Sequence, residues 1–487
     1  MIRCGQFVKN PASSRHQRPV ARGRPEAPTV AATRDRPGRR ILVHGGMLLG
    51  SGSLAGALGL AATALATLVL GPTEFGSLAL LHALALTGAA LARFNGWQAI
   101  LRYGPSCLEE RRTAELRSLV LLLTLLDLAA GLLVLGLLQA ALPRIAPLIG
   151  LSEAALPLAR WYLVLVLVAQ SGTAMGMLRL LDRFDLVALL RPTGALTRLL
   201  GVAWVWLAGG GLAGVAAVWL LAALVEAGAL AAAAAAVMAR ARLLSGPRPR
   251  LLGLARAHPG LWRVLFVANL NASLGLLAGR LVTLLVGGLL GPAAAGLYQV
   301  AQQLAGAVER PLEILRRSVE PELARLRARG ERTRLERLAR RLGWAVPVAL
   351  LPVPVAAWLG GGPALVLLFG PGFAAAAPLL VLLLIRQVVL AAALPGGALL
   401  VVAGSPSALL YWKLAARGVH LLLLPVLLPL AGLEGAGLAA VVGAAVETGL
   451  ARRLAARTGG EARMHGTPST AAVAPASVGS ALPERPS

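Results

Sequence analysis

Apolar residues gather into runs of spanning length separated by short polar connectors. The runs fall at about 41–70, 75–97, 117–142, 157–178, 186–208, 212–238, 264–289, 295–316, 342–361, 375–400, 407–430 and 435–451. A helix rises about 1.5 Å per residue, so roughly twenty residues cross a bilayer core. The pattern predicts about twelve transmembrane helices. Barrel-type alternation is lacking, and helices satisfy their own backbone groups in lipid, so the expected class is all-α and polytopic.

One connector pattern occurs twice. Leu68-Val-Leu-Gly-Pro-Thr-Glu-Phe-Gly-Ser-Leu-Ala79 is echoed by Val286-Gly-Gly-Leu-Leu-Gly-Pro-Ala-Ala-Ala-Gly-Leu-Tyr-Gln-Val-Ala-Gln-Gln-Leu304, with Gly71, Pro72 and Gly76 matching Gly291, Pro292 and Gly296. Proline fixes φ and glycine admits the reversed backbone, so each is a tight hairpin between two spans. A hairpin recurring once per half predicts two pseudo-symmetric six-helix lobes, a plan that many secondary transporters share.

Composition reinforces this. The chain is 57% apolar and 14% charged, with a mean hydropathy of +0.74, whereas soluble domains are about a quarter charged. Its net charge of +26 suggests nucleic acid only until the positions are plotted. Basic residues occupy the N-terminal tail and every second connector: Arg102 to Arg117, Arg179 to Arg191, Arg240 to Arg263, Arg316 to Arg341, Lys413 with Arg417, and Arg452 to Arg457. The alternate connectors hold only Arg144 and Arg160. Positive charge stays on the cytoplasmic side, so both termini are expected there, and anionic lipid rather than nucleic acid is the expected counter-charge.

The expected organisation is a disordered basic tail over 1–40, a first lobe over 41–238, a basic linker over 239–263, a second lobe over 264–457 and a disordered tail over 458–487. The tail precedes an uncleaved first span, since no cleavage site with the right spacing follows. Leucines 323, 326, 335, 338 and 342 recur at helical spacing among arginines, predicting an amphipathic helix that extends span eight or lies on the inner surface. Pro347, Pro352 and Pro354 predict kinks in span nine. Cys4 and Cys107 are the only cysteines, and neither a disulfide, a metal site nor a cofactor is implied.

The motifs resemble a known family. Leu289-Leu-Gly-Pro-Ala-Ala-Ala-Gly-Leu-Tyr-Gln-Val-Ala301, Glu309-Arg-Pro311, Ser318-Val-Glu-Pro-Glu-Leu-Ala324, Leu70 to Gly76, Leu368 to Pro378 and Ala403-Gly404 resemble the polysaccharide-biosynthesis and O-antigen flippases of the multidrug/oligosaccharidyl-lipid/polysaccharide exporter superfamily. The resemblance runs from about Arg40 to Arg457. It implies a V-shaped pair of lobes around a central cavity, and translocation of undecaprenyl-diphosphate-linked oligosaccharide across the bacterial cytoplasmic membrane by alternating access. Other glycan-assembly proteins are possible partners. Arg280 departs from relatives, which often carry an acidic or other polar residue there.

Ionisable groups within spans are costly, by about 2.5–3.5 kcal/mol on insertion scales, so each is a candidate. Guanidinium groups bind a diphosphate without losing their protons, which makes Arg280, Arg386, Arg198 and Arg310 candidates for the head-group path. Asp127, Glu226 and Glu447 are candidates for ion coupling, with structural pairing to those arginines as the competing role. Asn269, Asn271, Gln302 and Gln303 are candidates for glycan contact, or for tying helices together. His82 and His420 are assigned no role.

Enzymatic signatures are lacking: there is no phosphate-binding Gly-Lys-Ser/Thr loop, no His-Glu-x-x-His and no nucleophile elbow. The leading expectation is therefore a lipid-linked oligosaccharide flippase and not an enzyme. The alternatives are an ion-coupled multidrug extruder of the same superfamily and, third, a ligase or polymerase of glycan assembly.

Overall fold

The computed structural model describes residues 37–245, 249, 258, 260–402 and 406–464. Its contacts divide the chain into residues 1–45 and 46–487, and the fold is that of the second unit. The described residues are helical, with no strand among them. In chain order the helices are α1 Pro37–Ala92, α2 Trp97–Glu109, α3 Thr113–Leu148, α4 Leu156–Tyr162, α5 Leu165–Val168, α6 Gly172–Leu180, α7 Phe184–Leu207 and α8 Leu212–Arg240. The second half holds α9 Leu261–Leu290, α10 Pro292–Ala328, α11 Arg332–Leu350, α12 Pro352–Phe369, α13 Ala377–Ala391, α14 Leu394–Val402 and α15 Pro406–Met464.

Eight stretches of these helices are long and apolar enough to cross a membrane. They accommodate the twelve expected spans because two of them are double. α1 changes direction at Gly71 (φ 68, ψ 178) and α15 at Gly432 (φ 57, ψ −139), so each contains two helices. Spans seven and eight complete the set as α9 and α10, the latter too polar to qualify by composition. Gly291, between them, has nearly the backbone conformation of Gly71, at φ 87 and ψ 173. The two Gly-Pro motifs therefore make the same turn, as their sequences predict.

These turns also meet. A Cβ at Gly296 would sit 2.6 Å from the carbonyl oxygen of Pro72, and one at Gly76 would overlap the carbonyl of Pro292. Apolar burial drives little helix association in lipid, so close backbone approach at small residues is what remains to hold spans together. Gly150, after α3, lies in the same way on the Gly287 carbonyl. Phe75 and Phe373 complete this hairpin end, with ring centroids 6.1 Å apart and edge to face. Large apolar side chains such as Leu207, Trp358 and Leu367 are more than two-thirds exposed, as lipid-facing positions should be.

Three features depart from simple spans. Span four is broken into α4, α5 and α6, and span ten into α13 and α14. Span nine divides at Leu351, immediately before Pro352, in keeping with its prolines. The amphipathic stretch is two helices rather than one: α10 runs on from span eight to Ala328, the chain turns at Gly330 (φ 70), and α11 begins at Arg332. Its leucines still bury a common face, with Leu323 fully inside and Leu335, Leu338 and Leu342 packed against it and against Leu394 and Ala398 of α14.

About half of the expected linker, and residues 1–36 and 465–487, lie outside the described residues. α15 stays helical past Thr458, where a tail is expected, as far as Met464.

Candidate functional site

Broken helices expose backbone groups and allow side chains to converge, and here the two breaks fall in corresponding spans of the two halves. Such a pair points to the binding region of a repeat-built transporter. At the first break, Arg93 donates to the freed carbonyl of Ala169 at 2.7 Å, and Gln170 donates to Ala89 at 3.3 Å. At the second, the Thr448 hydroxyl donates to the carbonyl of Val389 at 2.9 Å.

The second break borders an open pocket of about 210 Å³. α10 lines it with Glu309, Glu313 and Arg316; α13 with Arg386; and α15 with Lys413 and Arg417 from one arm and Glu447 from the other. The helices come together here because Trp412, 5% exposed, donates its indole N–H to the Glu447 carbonyl at 2.6 Å. Gly397 of α14 leaves room for that indole, since a Cβ there would lie 2.9 Å from the ring.

The charges are unevenly matched. Arg316 is neutralised by Glu313 at 2.7 Å and Glu320 at 2.9 Å, and Glu313 also pairs with Arg317 at 2.9 Å. Arg386, Lys413 and Arg417 have no ion pair among the described residues. Glu447 is near enough to sense all three but closes on none of them. Beside the paired Arg316 and Glu313, three further cations share the pocket with Glu447 and Glu309, and an anion entering it would meet donors held by no carboxylate among the described residues.

A second group of cations lies among the N-terminal helices and α9. Arg198 of α7 stands 5.7 Å over the ring of Trp219, and its Nε is buried without a hydrogen-bond partner. His82 Nδ1 hydrogen-bonds the Tyr162 hydroxyl at 2.8 Å, and the charges of both Arg198 and Arg280 reach His82. Arg280 in turn feels Arg93. Glu226 lies near Arg198, against Gly194, but forms no ion pair with it among the described residues.

The structure thus brings Arg386 and Glu447 into one pocket and sets Arg198 and Arg280 around His82. Arg310 stands apart: it is exposed and lays its guanidinium on Gly56 of α1. Asp127 of α3, 4% exposed, accepts from the Phe94 N–H at 3.1 Å and the Thr173 hydroxyl at 3.4 Å, bonds that tie α3 to the junction between α1 and α2 and to α6. Gln302 accepts from Tyr298 within its own helix at 3.2 Å, and Gln303 donates to the Gly59 carbonyl at 3.4 Å, tying α10 to α1. Asn269 and Asn271 fall on α9, but their side chains lie outside what is described. Lys413, Arg417 and the His82–Tyr162 pair were not singled out by sequence. The four-residue spacing of Lys413 and Arg417, which sets them on one helix face, is the signal that could have found the first two.

No protein-family model matches the chain. It is 30% identical over 337 residues to the inner membrane protein YghQ of Escherichia coli (strain K12), covering 68% of this chain and 93% of that one. Among solved structures it is similar to an inward-facing multidrug resistance MATE family transporter of the MOP superfamily, with TM-score 0.60, 14% identity, and coverage of 86% of this chain and 96% of that one. It is equally similar to the lipid II flippase MurJ in an inward closed conformation, with TM-score 0.60, 11% identity, and coverage of 83% and 86%. At these identities the solved structures establish a shared fold, that of MOP superfamily transporters. The curated relative establishes kinship: the chain belongs to the family of the inner membrane protein YghQ.

Proposed function

We propose that the protein is a multi-pass transporter of the bacterial cytoplasmic membrane that flips a polyprenyl-diphosphate-linked oligosaccharide from the inner to the outer leaflet. The observation that carries this reading is the trio Arg386, Lys413 and Arg417, which share a pocket and are engaged by no carboxylate at ion-pair distance among the described residues. A charge pair at 4 Å is worth about 4 kcal/mol at an effective dielectric of 20. Three such contacts offset much of the cost of drawing a diphosphate out of water. Two arginines also bind phosphate bidentately, with protons that neutral pH does not remove.

Arg198 and Arg280 then serve as a second station for the head group. The resemblance among the sequence motifs and the shared fold with a lipid II flippase support a lipid-linked cargo. The exposed arginines of the α10–α11 turn, among them Arg325 and Arg334, suit anionic lipid at the inner surface.

Ion-coupled drug extrusion is favoured by a different observation: Glu447 lines the same pocket with no ion pair among the described residues, and a MATE transporter shares the fold equally well. A deletion strain separates the two. Flipping predicts lipid-linked repeat units accumulating on the inner leaflet and a loss of surface glycan, restored by the wild-type chain. Unchanged surface glycan with new drug sensitivity would overturn the proposal in favour of extrusion.

A further inference from the structure

Away from both cationic groups, three potential metal ligands converge where α2 ends, α3 begins and the chain approaches α9. Cys107, Glu115 and His258 each offer one ligand atom, and all three atoms lie within 4.8 Å of one another. Cys107 is fully buried as a free thiol. His258 is 3% exposed, and its Nε2 is buried without a hydrogen-bond partner, 4.0 Å from Glu115 Oε2. A buried imidazole nitrogen left unsatisfied is costly, by about 1–3 kcal/mol, unless something is there to receive it.

From this geometry we infer that Cys107, Glu115 and His258 form a zinc site that pins the approach to α9 against α2 and α3. Sulfur, imidazole and carboxylate together suit Zn²⁺, a borderline-soft ion that takes a tetrahedral set of such ligands, here completed by water. Bond lengths of about 2.3 Å to sulfur and 2.0–2.1 Å to nitrogen or oxygen put tetrahedral ligand atoms roughly 3.3–3.6 Å apart. The three side chains therefore close the site by rotations of about an ångström. Binding releases the Cys107 proton to solvent and forms the Zn–S bond, with no change of oxidation state.

One competitor stands in the way. Arg112 holds Glu115 Oε2 at 2.7 Å, but it also holds Glu110 at 2.9 Å. Displaced from Glu115, it keeps a carboxylate. The Tyr103 ring, 5.0 Å from that of His258, holds the imidazole in place. The sequence conceals the site because His258 is far along the chain from the other two ligands and no short ligand spacing exists. This inference departs from the sequence-based expectation, in which no metal site is implied.

The test uses the full-length protein in detergent carrying Cys4→Ser, which leaves Cys107 as its single thiol. After chelation and dialysis against Zn²⁺, the protein should retain about one equivalent per chain. Replacement by Co²⁺ should give tetrahedral visible bands and a thiolate-to-metal charge-transfer band. Cys107→Ser and His258→Gln should each weaken zinc retention by roughly tenfold or more. Zinc retention unchanged in both variants would overturn the site. So would a Co²⁺ spectrum without the thiolate band in the Cys4→Ser protein, a result that stands even if the Cys107 and His258 variants fail to fold.

Discussion

An arginine buried in a bilayer is either bonded to the protein or waiting for something else, and the two cases differ in what substitution does. Arg386, Lys413 and Arg417 have no carboxylate at ion-pair distance among the described residues, so removing one should cost little stability. Arg386→Ala and Arg417→Ala are each expected to lower flipping by about tenfold or more, the equivalent of ~1.4 kcal/mol, with normal expression and unchanged thermal midpoint. Arg386→Lys should recover part of it, since a point charge replaces a bidentate fork. Complementation of a deletion strain checks both. Asp127 should behave in the opposite way. It is bonded to the Phe94 N–H and the Thr173 hydroxyl, so Asp127→Ala should destabilise by about 1–3 kcal/mol while Asp127→Asn, which keeps an acceptor, retains activity. Inactive but stable Asp127→Asn protein would instead mark this carboxylate as an ion-coupling group.

Among elements, the Gly-Pro hairpins do more than turn the chain. Gly76 and Gly296 place each hairpin's backbone against the other's carbonyl, a contact with no room for a side chain. Gly76→Val and Gly296→Val should each destabilise the purified protein by about 1–3 kcal/mol, as overpacking does, and should impair transport. A detergent thermal-shift assay measures it, and a neutral result would show that the two hairpins need not meet. This contact was half legible in the sequence. Gly71-Pro72 and Gly291-Pro292 announce turns through backbone chemistry that is local to a few residues, whereas the crossing of Gly76 on Pro292 is tertiary. The breaks in spans four and ten were only partly legible: Gln170-Ser171-Gly172-Thr173 interrupts the one and Pro395-Gly396-Gly397 the other, but the side chain that takes up the Ala169 carbonyl at the first break, Arg93, comes from another helix and is visible only in the fold. Prolines gave span nine away.

For the molecule as a whole, hydropathy and turn chemistry suffice to place some twelve spans, because the bilayer allows so few alternatives. Function is less exposed. The pocket draws its charges from α10, α13 and both arms of α15, and Lys413 and Arg417 read in sequence as ordinary inner-loop charges. Orientation is itself a prediction: reporter fusions after Arg457 and within the 316–341 connector should both report the cytoplasm, while one at Gly150 should report the periplasm. The most direct test of cargo is translocation itself. Proteoliposomes holding the purified protein should move a fluorescent polyprenyl-diphosphate oligosaccharide between leaflets, and the Arg386→Ala, Arg417→Ala double variant should fall to the rate of empty vesicles. Wild-type vesicles no faster than empty ones, or a double variant as fast as wild type, would contradict the account.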